Sequence, residues 1–214
     1  MRAIVLPIKS LSETKSRLAP MLTPLERGAL TLAMLEDVMD VTQELSGWVT
    51  WVISPDETVL EVALGRSAHA IHEERPPLGN AIRQAEEEAL GHGADALAVL
   101  LPDTPLLTTE SLTRALHTLG PVVLAPSADE GGTNLLVRRP PNAIDARFGT
   151  DSYRKHLEAA ALADLPTAIV GSPELAFDLD LPGDILTVLD AGRQGRTREV
   201  CLDMDLASRI ATRA

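Results

Sequence analysis

Three groups of charged side chains, each next to a short apolar run, carry the clearest chemistry in this chain. The segment Lys9-Ser10-Leu11-Ser12-Glu13-Thr14-Lys15-Ser16-Arg17 holds three cations and four hydroxyls in nine residues. Lysine supplies a point charge and arginine a bidentate fork, so such a segment can grip a polyphosphate. It is neither a P-loop nor a G-x-G-x-x-G fingerprint, and a solvated basic loop has the same composition. Asp103 follows the apolar run Ala96–Leu101 and stands between Pro102 and Pro105. A carboxylate there can hold Mg²⁺ through one oxygen while substrate phosphates supply others; a turn or helix-capping aspartate is the structural alternative. Asp178 and Asp180 sit at i and i+2, which on a strand places both on one face. Two such carboxylates repel unless a cation lies between them, although a cap before Pro182-Gly183-Asp184 is an equal reading.

Two neutral segments add to these. Glu130-Gly131-Gly132-Thr133-Asn134 opens a strand with a backbone flexible enough to approach an anion closely. Phe148-Gly149-Thr150-Asp151-Ser152 leads into a helix, where Ser152 and unpaired first-turn amides form a ready anion site. Both segments can also be a plain turn and N-cap. His156 falls one turn after Ser152 and is a candidate for the same pocket. His69, His72, His92 and His117 show no metal spacing and read as surface or packing residues. Cys201 lacks a basic neighbour and reads as inert, and no G-x-S-x-G elbow occurs.

The elements that position these groups alternate. Strands are expected at Ala3–Ile8, Trp48–Ile53, Ala68–Ile71, Ala96–Leu101, Val122–Ala125, Asn134–Val137, Ala168–Val170 and Ala176–Leu179. Helices are expected from Thr23-Pro24-Leu25-Glu26, a capping box with proline at the first helical position, and from Ser54-Pro55-Asp56-Glu57 to Leu64. Further helices are expected at Asn80–Leu90, Glu110–Leu119, Ser152–Leu162 and Asp184–Leu189, with partial helix in the last 25 residues. In the first helix Leu25, Ala29, Leu32, Ala33, Leu35, Val38 and Met39 form the apolar face. Ala96–Leu101 is apolar without alternation, as befits a central parallel strand covered on both faces. The whole, residues 1–214, reads as one α/β domain: a mostly parallel Rossmann-like sheet flanked by helices, with ligands beyond the carboxyl ends of the strands.

Composition excludes other classes. With 31 acidic and 19 basic side chains the formal net charge is −12, which opposes a general nucleic-acid coat. Aromatics are 2%, so the core must be aliphatic and base stacking is poorly supplied. One cysteine removes disulfide frameworks and fits a reducing cytoplasm. No apolar run reaches the ~18 residues of a membrane span, and MRAIVLPIKS turns basic too soon for a signal peptide.

Taken in order, PIKSLSETKSRL, PPLGNA at 76–81, LLPDTPLL at 100–107, GGTNLL at 131–136, FGTDSYRKH at 148–156 and DLDLPGD at 178–184 resemble the guanylyltransferases of deazaflavin coenzyme (coenzyme F-420) biosynthesis. That group shares the wider nucleotidyltransferase fold, nucleotide-diphospho-sugar transferase type, with molybdenum-cofactor guanylyltransferases. The resemblance implies transfer of GMP from GTP to the phosphate of a three-carbon acid, with release of pyrophosphate. The acid is commonly phosphoenolpyruvate in bacterial members and 2-phospho-L-lactate in archaeal ones, with 3-phosphoglycerate a third choice. On this reading Asp103, Asp178 and Asp180 meet at Mg²⁺, and Lys9, Lys15 and Arg17 hold the GTP phosphates. Lys15, Arg17 and Asp103 are the catalytic set. Gly79 and Asn80 are expected at the guanine or ribose, and Thr133, Gly149 and Ser152 at the acceptor. Another nucleotidyltransferase of this fold and a non-catalytic nucleotide-binding module are the competing readings, and a homodimer stays open.

Overall fold

A computed structural model describes residues 1–128 and 131–212, so Glu130 lies outside the described residues. Among the described residues, seven strands form one sheet in the order β3-β2-β1-β4-β6-β5-β7. They are β1 (Arg2–Pro7), β2 (Trp48–Ser54), β3 (His69–His72), β4 (Ala96–Leu100), β5 (Val122–Pro126), β6 (Thr133–Arg138) and β7 (Thr167–Ile169). All pairings are parallel except the two made by β6. The helices are α1 (Pro24–Gln43), α2 (Glu57–Gly65), α3 (Leu78–Gly91), α4 (Thr109–His117), α5 (Ser152–Leu162), α6 (Pro173–Ala176), α7 (Pro182–Asp190), α8 (Arg196–Asp203) and α9 (Leu206–Ala211). No helix of the described residues is long and apolar enough to cross a membrane.

The aliphatic core forms two layers because β1 buries both faces. Ile4 and Leu6 pack on the α1 side with Leu35, Val38 and Met39. Ala3 and Val5 pack on the α3 side with Ala81, Ala85 and Ala89. Those alanines recur every four residues, so the helix backbone can lie close to the sheet. Each fully buried Leu or Ile contributes about 1.5–3 kcal/mol.

Three expectations about elements need correction. Leu25 is exposed, whereas Leu30 and Met34 of α1 are buried beneath α7, α8 and α9. The C-terminal helices give α1 a second apolar face, which a single-stripe reading cannot find. Helix α4 ends at His117, leaving Leu119 exposed. Residues 177–179 are not a strand: Ala176 ends the short helix α6 and the next four residues have no regular structure. The strand reading failed because the backbone donors of this segment go elsewhere: Phe177 N–H donates to the Pro173 carbonyl (3.0 Å) and Leu179 N–H to that of Asp103 (2.9 Å).

Strand β1 leads to β2 on one side of the sheet, and β4 then returns to pair with β1 on the other. The strand order therefore reverses between the carboxyl ends of β1 and β4, where an open α/β sheet leaves its ligand crevice.

Candidate active site

A cavity of about 350 Å³ opens at this switch point. Lys9, Lys15 and Arg17 line it after β1, Asp103 lines it after β4, and Asp180 closes one side. The loop carrying the cations is built by buried side chains from α1. Arg27 donates from Nε to the Thr14 carbonyl (3.0 Å), from Nη1 to Leu22 (3.0 Å) and from Nη2 to Ser12 (3.4 Å). Thr31 donates its hydroxyl to Thr14 Oγ1 (3.0 Å), and Leu11 N–H donates to Asp56 Oδ2 (3.0 Å). Lys15 itself takes a left-handed backbone with φ 47°. A non-glycine residue there costs about 1–2 kcal/mol, which the surrounding bonds must hold in place.

The geometry aims Lys15 inward. Its Nζ donates to Asp103 Oδ2 and to Asp180 Oδ1, both at 2.8 Å, and only 7% of the side chain is exposed. Burial lowers the ammonium pKa, but Asp103 and Asp180 together outweigh it and hold the pKa above its ordinary value. Arg17 is largely exposed and reaches Asp180 Oδ2 at 3.4 Å. Asp180 is fixed from behind, since Asp184 Oδ2 accepts from the backbone N–H of Asp180 and of Leu181.

The loop after α6 reaches the same place without being a strand. Leu179 N–H donates to the Asp103 carbonyl at 2.9 Å, which stitches this loop to the end of β4. Burial, then the charges of Asp103 and Asp180, push the Asp178 carboxyl up to about 6, opposed by the Asn134 amide and Lys15. Three carboxylates thus feel one another, and Asp103 Oδ1 is buried without a hydrogen-bond partner among the described residues. Hard oxygen donors with an orphaned buried oxygen fit a divalent cation such as Mg²⁺. Among the described residues, however, no three such side chains are already gathered as a cation site, and the Lys15 ammonium bridges Asp103 and Asp180.

A second cluster lies where β6 meets α5. Between Ala125 and Pro126 the β5–β6 register shifts, so Pro126 faces Thr133 while Ala125 faces Leu135. The extra residue, Asn134, is bulged, and a bulge re-aims its neighbours. Asn134 Nδ2 donates to the carbonyls of Leu175 and Ala176 in α6 (2.9 and 3.1 Å), while Thr133 Oγ1 meets His156 Nδ1 of α5 at 3.0 Å. His156 is fully buried, and burial, then Arg138 and Arg147, push its pKa down to about 4. Ser152, one turn earlier, is buried too.

The structure brings together Lys9, Lys15, Arg17, Asp103 and Asp180 around the cavity, with Asp178 adjoining. Thr133 bonds the buried His156, Ser152 stands one turn before it on α5, and Gly149 lies just before α5 with φ 107°. These three residues do not line the cavity. The expectation of unpaired first-turn amides is corrected at two positions: Ser152 N–H donates to the Gly149 carbonyl (3.0 Å) and Tyr153 N–H to that of Gly131 (3.3 Å). Gly79 and Asn80 fall in the first turn of α3; Asn80 Nδ2 donates to the Pro76 carbonyl (3.0 Å), and it is Leu78 that lines the cavity. Sequence reasoning missed Arg27 and the tethering role of Asn134. An arginine inside an apolar helix stripe was the available signal for the first, and nothing local announces the bulge behind the second.

The chain matches the family described as guanylyl transferase CofC like over residues 1–211. A phosphoenolpyruvate guanylyltransferase of Sphaerobacter thermophilus is 37% identical over 187 residues, which cover 85% of this chain and 89% of the relative. A 3-phospho-D-glycerate guanylyltransferase of Phenylobacterium zucineum is 34% identical over 211 residues, 95% of this chain and 97% of the relative. In fold the chain resembles a nucleotidyl transferase of Methanothermobacter thermautotrophicus, with a TM-score of 0.65 at 15% identity over 89% of this chain and 97% of that one.

Proposed function

The chain belongs to the CofC-like guanylyl transferase family, and from that premise we propose that it transfers GMP from GTP to the phosphate of phosphoenolpyruvate. The observation carrying this reading is the Lys15 ammonium held 2.8 Å from both Asp103 and Asp180 at the β1–β4 switch point. An acceptor phosphate oxygen attacks the α-phosphorus of GTP, the bond to the β-phosphate oxygen breaks, and pyrophosphate departs with that electron pair. The attacking oxygen is already ionised at neutral pH, so no general base is required. What the protein must supply is alignment and charge neutralisation.

Lys15, Arg17 and Lys9 supply the cations, with Lys15 and Arg17 nearest the departing pyrophosphate. A cation that bonds more strongly as the leaving group gains charge lowers the barrier as well as improving affinity. Asp103, Asp178 and Asp180 would hold Mg²⁺, which when bound neutralises phosphate charge between the two substrates. Gly79 and Asn80 face the nucleoside, and Thr133, Gly149 and Ser152 hold the acceptor. The enzyme works in the cytoplasm, takes no nucleic acid as partner, and is one domain over residues 1–214.

Purified protein with GTP, Mg²⁺ and each of phosphoenolpyruvate, 2-phospho-L-lactate and 3-phosphoglycerate, read by product mass, tests the reading. The expected product is enolpyruvyl-diphosphoguanosine plus pyrophosphate. Preference for 3-phosphoglycerate, the acid named for the Phenylobacterium relative, would move the acceptor assignment. No guanylylated product from any of the three would overturn the reaction.

A further inference from the structure

His156 is buried to 0% exposure, yet both of its ring nitrogens have partners. Nε2 lies 2.8 Å from the backbone N–H of Arg147, which can only donate. Nε2 must then carry the lone pair, and a neutral imidazole with a bare Nε2 has its proton on Nδ1. That Nδ1–H points at Thr133 Oγ1, 3.0 Å away. The Thr133 oxygen thus acts as acceptor toward the ring, and its one hydroxyl proton is left to be donated elsewhere. Phosphate and carboxylate oxygens of an ionised acid only accept, so a hydroxyl committed to donation is the matching polarity.

We propose that His156 is a positioning residue: by donating from Nδ1 it fixes Thr133 as an obligate donor toward the acceptor acid. This rests on the reading above that Thr133 contacts the acceptor. Several features keep the ring in that state. The guanidinium groups of Arg138 and Arg147 oppose a charged imidazole, burial opposes it further, and the Phe148 ring packs edge-on at 5.0 Å. A second ring proton would also confront the Arg147 N–H directly. Because α5 carries both His156 and Ser152, the same bond ties the start of the helix to β6.

Two amide variants divide the ring's two bonds. Asn places an N–H near the Nδ1 position, and Gln places an acceptor near Nε2 without a donor for Thr133. His156→Gln is expected to raise the acceptor KM about tenfold, the effect of one hydrogen bond to a charged group, with the GTP KM unchanged. His156→Asn is expected to stay within about threefold of wild type. In a Thr133→Val background, His156→Gln should have no further effect, since it acts through the missing hydroxyl.

If Thr133→Val raises the acceptor KM and His156→Gln does not, the proposal is overturned and the acceptor site stands. An unchanged acceptor KM in Thr133→Val removes the acceptor-site reading and the proposal with it. Nitrogen NMR of the wild-type protein at pH 7 decides the geometry if the variants do not fold. One histidine with Nδ1 protonated and Nε2 bare is expected, and the opposite tautomer or a charged ring at position 156 overturns the proposal.

Discussion

The mouth between β1 and β4 and the cluster between β6 and α5 are built on opposite principles. At the mouth, Lys15, Asp103 and Asp180 are ionised partners, with Arg17 largely exposed and Asp180 about one-third exposed. In the cluster, Thr133, Ser152 and His156 are neutral and no more than 2% exposed. Burying an unpaired charge costs several kcal/mol, whereas a neutral group with its hydrogen bonds satisfied is tolerated. Charge at the mouth is therefore held by counter-charges, and the neutral groups of the deeper site rely on the direction of their hydrogen bonds. In the proposed reaction the first arrangement suits a triphosphate whose charge changes, and the second a small acid that must be oriented.

The largest test of that contrast removes charge from the mouth. Lys15→Ala and Asp103→Asn are each expected to lower kcat by roughly a hundredfold or more, the scale seen when one preorganised electrostatic partner is lost. Lys15→Ala should also raise the GTP KM. Asn is nearly isosteric with Asp, so the fold should survive in Asp103→Asn, with a melting temperature near wild type. Steady-state kinetics at saturating Mg²⁺ provide the check. An effect of Lys15→Ala confined to the acceptor KM would place this loop on the other substrate and erase the contrast.

The two regions also differ in how far the sequence reveals them. Lys9, Lys15, Arg17 and Asp103 stand out because charged residues directly after apolar runs fall at the ligand end of a parallel sheet. The capping box of α1 was equally legible: Thr23 and Glu26 exchange both bonds as the spacing predicts. What places Lys15 was not legible, because Arg27 reaches back from a helix to three loop carbonyls and such contacts leave no period. The pairing of Asp178 with Asp180 was seen for the wrong reason, since a backbone bond from Leu179 to Asp103 replaces the expected strand. In the deeper cluster the segments were found but their wiring was not. The Thr133–His156 bond depends on a bulge, which exists only once β5 and β6 pair.

Acid should separate the regions by about 2 kcal/mol through His156 alone. Its folded pKa, about 4, lies below the ordinary histidine value of 6.5, so between these limits the unfolded chain binds the proton and the folded chain does not. Stability from the neutral ring is therefore complete above about pH 6.5 and is lost as pH falls toward 4. At 1.36 kcal/mol per unit, moving from pH 7 to pH 5 removes about 2 kcal/mol. Denaturant unfolding of wild type and His156→Gln at both pH values is the measurement. The stability advantage of wild type should shrink on acidification by that amount. An advantage independent of pH would mean that the ring titrates in the folded protein as it does in the unfolded chain, and that the deep cluster does not exclude its charge.

The smallest expected effect sharpens the contrast most, because it asks whether the neutral cluster contributes to one substrate only. Ser152 begins α5, is buried, and has its own N–H committed to the Gly149 carbonyl. Its hydroxyl is therefore the part of the residue best suited to an incoming anion, and it stands one helical turn before His156. Losing a single hydrogen bond to a charged oxygen costs roughly tenfold in affinity. Ser152→Ala should thus raise the acceptor KM about tenfold and leave the GTP KM unaltered. Alanine is a good helix former, so α5 itself is preserved and its position on β6 is still secured by His156. Kinetics with each substrate varied in turn distinguish the outcomes. A matching rise in the GTP KM would show that the deep cluster and the charged mouth act as one site, and the division between ionic and neutral recognition would have to be abandoned.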